Sequence, residues 1–159
     1  MTQPPRDPQF EQRVRASFER QAAMATLGAT LARVAPGEVT IELPFRSELT
    51  QQHGFLHAGI VTTVMDSACG YAALTLMEAG TAVLSVEFKV NLLAPAQGDR
   101  FRASGRVVRA GRTVTVVSGE FRVVAAAGEG QLEPDASGPL VAIMTGTMMT
   151  VRDRPALAD

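Results

Sequence analysis

Asp66 is the residue in this sequence best suited to do chemistry. It lies within HAGIVTTVMDSACGY, residues 57–71, where nearly all neighbours are apolar or small. This pattern predicts a long helix over residues 58–77 that is apolar on every side, and such a helix is buried. A carboxyl group inside it must be paired or hydrogen-bonded, or must shift its pKa. Asp66 is therefore a candidate general base or nucleophile. The alternative is a structural Asp that caps a backbone group or pairs with an Arg.

The start of the same helix offers complementary chemistry. The N–H groups of Ala58 and Gly59 would have no partner within the helix and would lie at the positive end of its dipole. Such groups can stabilise a developing oxyanion, although a Gly at a helix start can also serve only close packing. The helical rise places Asp66 about 12 Å from this end. We therefore expect Asp66 to face a cleft shared with a second copy of the chain. His57 could orient a carbonyl or close the turn, and the shaped loop around it favours the turn.

Composition excludes several classes of protein. The chain has 159 residues, of which 46% are hydrophobic, and its net charge is −1. These values indicate one globular domain and give no basic surface for nucleic acid. Cys69 is the only cysteine, and His53 and His57 are the only histidines. No disulfide framework and no metal site are expected, and Cys69 is interpreted as a small packing residue.

The apolar run over residues 54–77 is long enough to span a bilayer, but a membrane helix is not expected. A central Asp costs about 2.5–3.5 kcal/mol on insertion scales. The N-terminal residues MTQPPRDPQFEQR contain no apolar signal-peptide region. We expect a core helix in a cytoplasmic protein.

Hydrophobic periodicity predicts the remaining elements. A helix is expected over residues 8–25, and strands over 39–45, 82–94, 99–109, 113–125 and 139–152. Ala110 and Gly111 indicate a hairpin, and residues 126–139 a polar loop. The order of elements favours an α+β fold in which an antiparallel sheet wraps around the long helix, with an N-terminal helix beside it. One sheet would leave a side of the apolar helix uncovered, which predicts at least a dimer. The domain is expected over residues 38–153, between segments 1–37 and 154–159.

These residues together resemble a known family, the hotdog-fold acyl-CoA thioesterases of the phenylacetate-degradation (PaaI-like) branch. His57-Ala58-Gly59 stands where that branch has His-Gly-Gly, and Asp66 has the matching spacing. Residues 84–99 resemble the family's second strand, with Ser85 at the family's Ser/Thr position and Pro95 at the end of the strand, and residues 106–121 resemble the following hairpin. The resemblance covers about residues 38–151. It implies hydrolysis of acyl-CoA or aryl-CoA thioesters, with no cofactor beyond the CoA of the substrate, in a dimer or a dimer of dimers.

The resemblance also assigns roles to individual residues. It implies Asp66 as base or nucleophile, the Ala58 and Gly59 amides as oxyanion donors, and Ser85 as a group that positions water from the facing subunit. Gln51 stands where the family has Asn and could polarise the carbonyl or hold water.

Two cationic residues flank the turn of the predicted hairpin. Arg109 and Arg112, around Gly111, could hold the CoA phosphates or be an ordinary solvated hairpin.

Two departures from the family pattern keep other functions open. Gln51 is longer than Asn, and Ala58 replaces a glycine, which suits the site only if that residue opens a right-handed helix. A non-catalytic module that binds or senses acyl-CoA is one alternative. A hotdog hydratase or dehydratase is another, but such enzymes need a His with a carboxylate at a different spacing.

Overall fold

Three α-helices and a six-stranded antiparallel sheet form the fold in the computed structural model, which describes residues 3–124 and 137–157. The helices are α1 (Phe10–Arg20), α2 (Ala22–Leu27) and α3 (Ala58–Leu74). The strands are β1 (Thr30–Ala35), β2 (Glu38–Pro44), β3 (Ala82–Leu92), β4 (Arg100–Ala110), β5 (Val114–Val124) and β6 (Ser137–Val151). Two short 3-10 helices, Ser47–Leu49 and Pro155–Leu157, complete the described elements.

The sheet runs in the order β1-β2-β4-β5-β6-β3 and curves around α3. Alternate residues of β2, among them Val39 and Ile41, turn inward and are fully buried against the helix. The residues between them, including Glu42, face outward, where Glu42 pairs with Arg102 of β4 at 2.9 Å. This alternation is the expected pattern of a half-buried sheet. The predicted fold class, an antiparallel sheet around one long helix, is confirmed.

The N-terminal segment differs from its prediction in two ways. The helix expected over residues 8–25 is broken at Gln21, where the backbone is extended (φ −80°, ψ 92°). The hydrophobic periodicity of the sequence continues across the break because α1 and α2 each bury one side against the rest of the fold. The sequence pattern also missed β1, which pairs with β2 through the turn at Pro36 and Gly37. A Pro-Gly pair is a turn signal, and Gly37 has the positive φ (75°) that such turns require.

The sheet therefore begins at Thr30, inside the segment 1–37, while the division of the chain at 37 and 153 stays a prediction. Strand β6 begins at Ser137, two residues earlier than expected. Most of the loop predicted over residues 126–139 lies outside the described residues.

The C-terminal end of α3 is fixed by α1. The Arg13 guanidinium donates to the carbonyl oxygens of Leu74 (2.8 Å), Met77 (3.0 Å) and Glu78 (2.7 Å), and it pairs with Asp7 at 3.2 Å. These carbonyls lie at and just beyond the C-terminal end of the helix, where a buried cation adds hydrogen bonds and complements the helix dipole. The helix ends at Leu74 rather than at residue 77. Over the described residues, no helix is long and apolar enough to cross a membrane.

Candidate functional site

Asp66 and Ser85 are brought together at the middle of α3. The Ser85 hydroxyl on β3 donates a hydrogen bond of 2.7 Å to Oδ1 of Asp66. The Ser85 Oγ atom also lies 3.4 Å from the Sδ atom of Met148 on the neighbouring strand. Both members of the pair lie in one chain, whereas Ser85 was expected to act from the facing subunit. Asp66 is partly exposed and not buried as expected, so its carboxylate can meet a substrate.

A β-bulge in β3 orients Ser85 toward the helix. Ser85 pairs with Met148 and Glu87 pairs with Thr147, which leaves Val86 as the extra residue between them. Simple alternation would place Ser85 on the same outer face as Glu87. The bulge reverses the alternation at this point, which is a common way to re-aim a side chain near a site. Ser85 consequently shares the inner face of the sheet with Phe88.

The Asp66–Ser85 pair lines an open cleft of about 390 Å³ between α1, α3 and the start of β3. Most side chains of this cleft are polar and uncharged, and its floor is a stripe along α3. The lining residues are Ser17, Arg20, Gln21, Asp66, Ser67, Gly70, Tyr71, Val83, Leu84 and Ser85.

The start of α3 is capped by a side chain. His57 is the N-cap residue, and its Nδ1 atom accepts a hydrogen bond of 2.9 Å from the Gly59 N–H. This corrects the expectation that both first-turn amides are available, because Gly59 is already paired. Within the part of the chain that the structure describes, the Ala58 N–H makes no hydrogen bond. Ala58 opens a right-handed helix and needs no positive φ, so the replacement of glycine is accommodated.

Gln51 is tied into its own turn. Its Oε1 atom accepts a hydrogen bond from the His53 N–H, and its backbone N–H donates to the Phe55 carbonyl at 2.9 Å. Among the described residues, no hydrogen bond links Gln51 with Asp66. The Gln51 side chain therefore shapes the loop before α3 in one copy of the chain. His53 is exposed in this loop.

Comparisons with known proteins place this arrangement in a family. A family model described as "Thioesterase superfamily" matches residues 53–124, the segment that contains His57, Asp66 and Ser85. The chain is 35% identical to a protein of Saccharolobus solfataricus named as a "putative esterase". The alignment spans 118 residues, which are 74% of this chain and 75% of the length of the relative. The chain belongs to the thioesterase superfamily.

Solved structures agree with this assignment. The crystal structure of a thioesterase family protein from Silicibacter pomeroyi superposes on this chain with a TM-score of 0.81 at 50% sequence identity. The match covers 89% of this chain and 98% of the chain in that structure. The PaaI protein of the E. coli phenylacetic acid degradation operon shares the fold, with a TM-score of 0.74 at 20% identity and coverage of 90% and 94%. The resemblance to hotdog-fold, PaaI-like thioesterases is confirmed. Thioester hydrolysis in general is accordingly the reaction of this chain.

Arg109 and Arg112 of the β4–β5 hairpin are exposed at the same end of the sheet as the cleft beside Asp66. Arg109 and Arg112 flank a tight turn in which the Gly111 N–H donates to the Val114 carbonyl at 2.9 Å. A Cβ at Gly111 would lie 2.5 Å from that carbonyl oxygen, so the turn requires glycine. Val114, next to this turn, pairs with Met149 of β6, and Met149 pairs with Leu84, which lines the cleft.

A polar network that the sequence did not predict lies on the far side of the cleft from Asp66. The Gln21 Nε2 atom donates to Ser67 Oγ at 3.2 Å, and the Gln21 Oε1 atom accepts from the Tyr71 hydroxyl at 3.3 Å. The ring of Tyr71 packs against that of Phe18 with centroids 5.9 Å apart. Tyr71 is the only tyrosine and follows Asp66 by five residues, which was the available signal for this network. The partner from α1 could not be found from spacing.

Cys69 is a packing residue, buried between α3 and β5, where its sulfur faces Gly119. Burial, and then the negative charge of Asp66, raise the pKa of the Cys69 thiol to about 12. A thiol with that pKa stays protonated and inert at neutral pH. Cys69 is therefore a poor candidate for a nucleophile in the cleft beside Asp66.

Proposed function

We propose that this protein hydrolyses acyl-CoA or aryl-CoA thioesters to the free acid and CoA, with Asp66 as general base or nucleophile. The carrying observation is the Asp66 carboxylate, which is hydrogen-bonded to Ser85 and exposed to an open cleft. The reaction consumes water and a thioester, so no cofactor is required beyond the CoA that the substrate brings. The proposal retains the cytoplasmic location expected from the sequence.

Two chemical routes are compatible with this carboxylate. As general base, Asp66 takes a proton from water, and the resulting hydroxide adds to the thioester carbonyl before the CoA thiolate leaves. As nucleophile, Asp66 attacks the carbonyl itself, the thiolate leaves, and water then hydrolyses the mixed anhydride. Ser85 serves both routes: its hydroxyl hydrogen holds the carboxylate in place, and its oxygen lone pair can accept a hydrogen from water.

The oxyanion of either route needs a donor, and the start of α3 supplies it. The Ala58 N–H lies at the positive end of the helix dipole, while the Gly59 N–H is held by His57. Because Nδ1 of His57 accepts that bond, its Nε2 atom carries the proton of the neutral ring and can donate to the substrate. Gln51 is assigned the neighbouring role of polarising the carbonyl or holding water.

These donors and Asp66 can meet one carbonyl only across two copies of the chain. Eight residues separate Ala58 from Asp66 in α3, a rise of about 12 Å. The central helix is better covered within one chain than the sequence predicted, because α1 packs on α3 through Arg13 and Phe18. A dimer is supported instead by the edge strand β3, where Val86 is 57% and Phe88 is 42% exposed. Exposed apolar edge strands commonly pair with another chain.

We expect sedimentation velocity at micromolar protein concentration to show a dimer or a dimer of dimers. Val86→Lys should shift the protein toward the monomer and lower turnover with it, because a charge at the bulge disfavours edge pairing. Val108→Lys is the control, since Val108 on β4 is likewise exposed, at 64%. A wild-type monomer with full activity would contradict the shared site.

In this proposal, Arg109 and Arg112 of the β4–β5 hairpin bind the phosphates of CoA. Replacing Arg109 and Arg112 together by Ala should raise KM for CoA esters about 10-fold, because two exposed guanidinium–phosphate contacts are lost and each contributes up to about 1 kcal/mol. Short thioesters that lack the nucleotide should be hydrolysed as by the wild type. Equal losses on both kinds of substrate would assign the pair to folding instead.

The proposal is tested by thiol release from a panel of acyl-CoA and aryl-CoA esters, followed with Ellman's reagent. Turnover of at least one ester, abolished by replacement of Asp66, supports it. Saturable binding of a CoA ester without thiol release would instead assign a binding or sensing module. Addition of water to an enoyl-CoA without thiol release would assign a hydratase.

A further inference from the structure

The cleft beside Asp66 contains two features that the proposed chemistry does not use, the bare backbone of Gly70 and the polar network around Gln21. We infer that this cleft receives the acyl group, that Gly70 sets its width, and that Gln21 favours acyl groups whose far end carries a hydroxyl. This inference rests on the proposed thioester hydrolysis and adds its specificity-determining residues.

Gly70 is placed where an acyl chain leaving the reaction centre would pass. It follows Asp66 by four residues, so the two lie one turn apart on the same face of α3. A Cβ added at Gly70 would meet no atom within 4 Å. Packing therefore does not require glycine here, and glycine weakens a helix interior relative to alanine. The space that the missing side chain leaves belongs to the cleft.

Gln21 closes the far end of the cleft with neutral polar groups. Its side-chain amide spans Ser67 at 3.2 Å and Tyr71 at 3.3 Å. The bond to Tyr71 is longer than usual for O–H···O, and the bond to Ser67 is at the long end of the N–H···O range, so a hydroxyl of the substrate can replace one of them at little cost. Gln21 can do this because it sits at the break between α1 and α2, where the backbone turns out of helical geometry.

The length of the cleft selects the size of the acyl group. Five residues of helix separate Asp66 from Tyr71, a rise of about 7.5 Å. An extended six-carbon acyl chain with a terminal hydroxyl spans a similar length from its carbonyl carbon. Ser67 and Tyr71 are both more than nine-tenths buried, so a hydroxyl that reaches them is bound away from bulk water.

The test compares acetyl-CoA, hexanoyl-CoA and 6-hydroxyhexanoyl-CoA as substrates of the full-length wild type and three variants. Gly70→Ala should lower the ratio of kcat/KM for hexanoyl-CoA over acetyl-CoA about 10-fold, because one methyl group narrows the passage. Its Tm should not fall, since the methyl meets no atom. Gln21→Met keeps the side-chain length and should lower the preference for 6-hydroxyhexanoyl-CoA over hexanoyl-CoA about 3- to 10-fold. Gln12→Met, on the exposed side of α1, is the matched control and should keep the wild-type ratios.

These measurements distinguish failure of the acyl-pocket inference from failure of the proposed thioester hydrolysis. Wild-type ratios in both cleft variants would overturn the inference while thioester hydrolysis stands. A variant that alone keeps its wild-type ratio removes its residue from the pocket. A lower Tm for Gly70→Ala would contradict the open space at that position. Absence of thiol release by the wild type from every ester would overturn the proposed function, and the acyl pocket with it.

Discussion

Asp66→Asn is expected to lower kcat for CoA-ester hydrolysis by ~10²–10⁴-fold, the usual cost of losing a general base. Asn keeps the size of Asp, and its amide oxygen can still accept the hydrogen bond from Ser85. It cannot take a proton from water, and its neutral amide is not a nucleophile toward a thioester. The loss should therefore appear in kcat, measured by thiol release at saturating substrate, with an unchanged thermal transition.

A matched carboxylate outside the cleft separates chemistry from general charge effects. Asp99→Asn changes an exposed residue in the loop before β4 and should leave the rate within about twofold, as surface substitutions usually do. Near wild-type activity of purified Asp66→Asn would remove this residue from the mechanism.

The sequence contained enough to predict the central helix and its reactive residue. A long apolar segment around one carboxylate has few physical solutions, and the sheet wrapped around α3 is one of them. Periodicity also predicted five of the six strands, because each alternates inward and outward residues. The first residue of α3, Ala58, is the residue that the spacing indicated.

The details that complete the site depend on contacts distant in sequence. The bulge at Val86 is invisible to alternation, because a single extra residue is set by the register of β3 against β6. The break at Gln21 falls between two helices that bury the same side, so a helical period runs through it. The capping of Gly59 by His57 is local, yet a first-turn amide looks the same in sequence whether it is capped or open. Each feature follows from competition for hydrogen bonds in the folded chain.

Gly105→Ala is expected to have the largest effect on stability, because β4 and α3 touch there through their backbones. A Cβ at Gly105 would lie 2.4 Å from the carbonyl carbon and oxygen of Ala68 and 2.6 Å from the backbone nitrogen of Cys69. Backbone atoms in the middle of a helix cannot rotate away, so the whole of α3 would have to shift and would carry Asp66 with it. Overpacking of this kind costs about 3 kcal/mol or more.

For a domain of this size, such a loss lowers Tm by about 6–12 °C, which differential scanning calorimetry resolves. Gly70→Ala is the matched control, because it adds the same methyl group to α3 in open space and should not lower Tm. The comparison isolates the close approach from the intrinsic difference between glycine and alanine. Equal transitions for the two variants would show that the helix can move off β4 at no cost. The position of Asp66 over the cleft would then be set by Arg13 and the N-terminal helices instead.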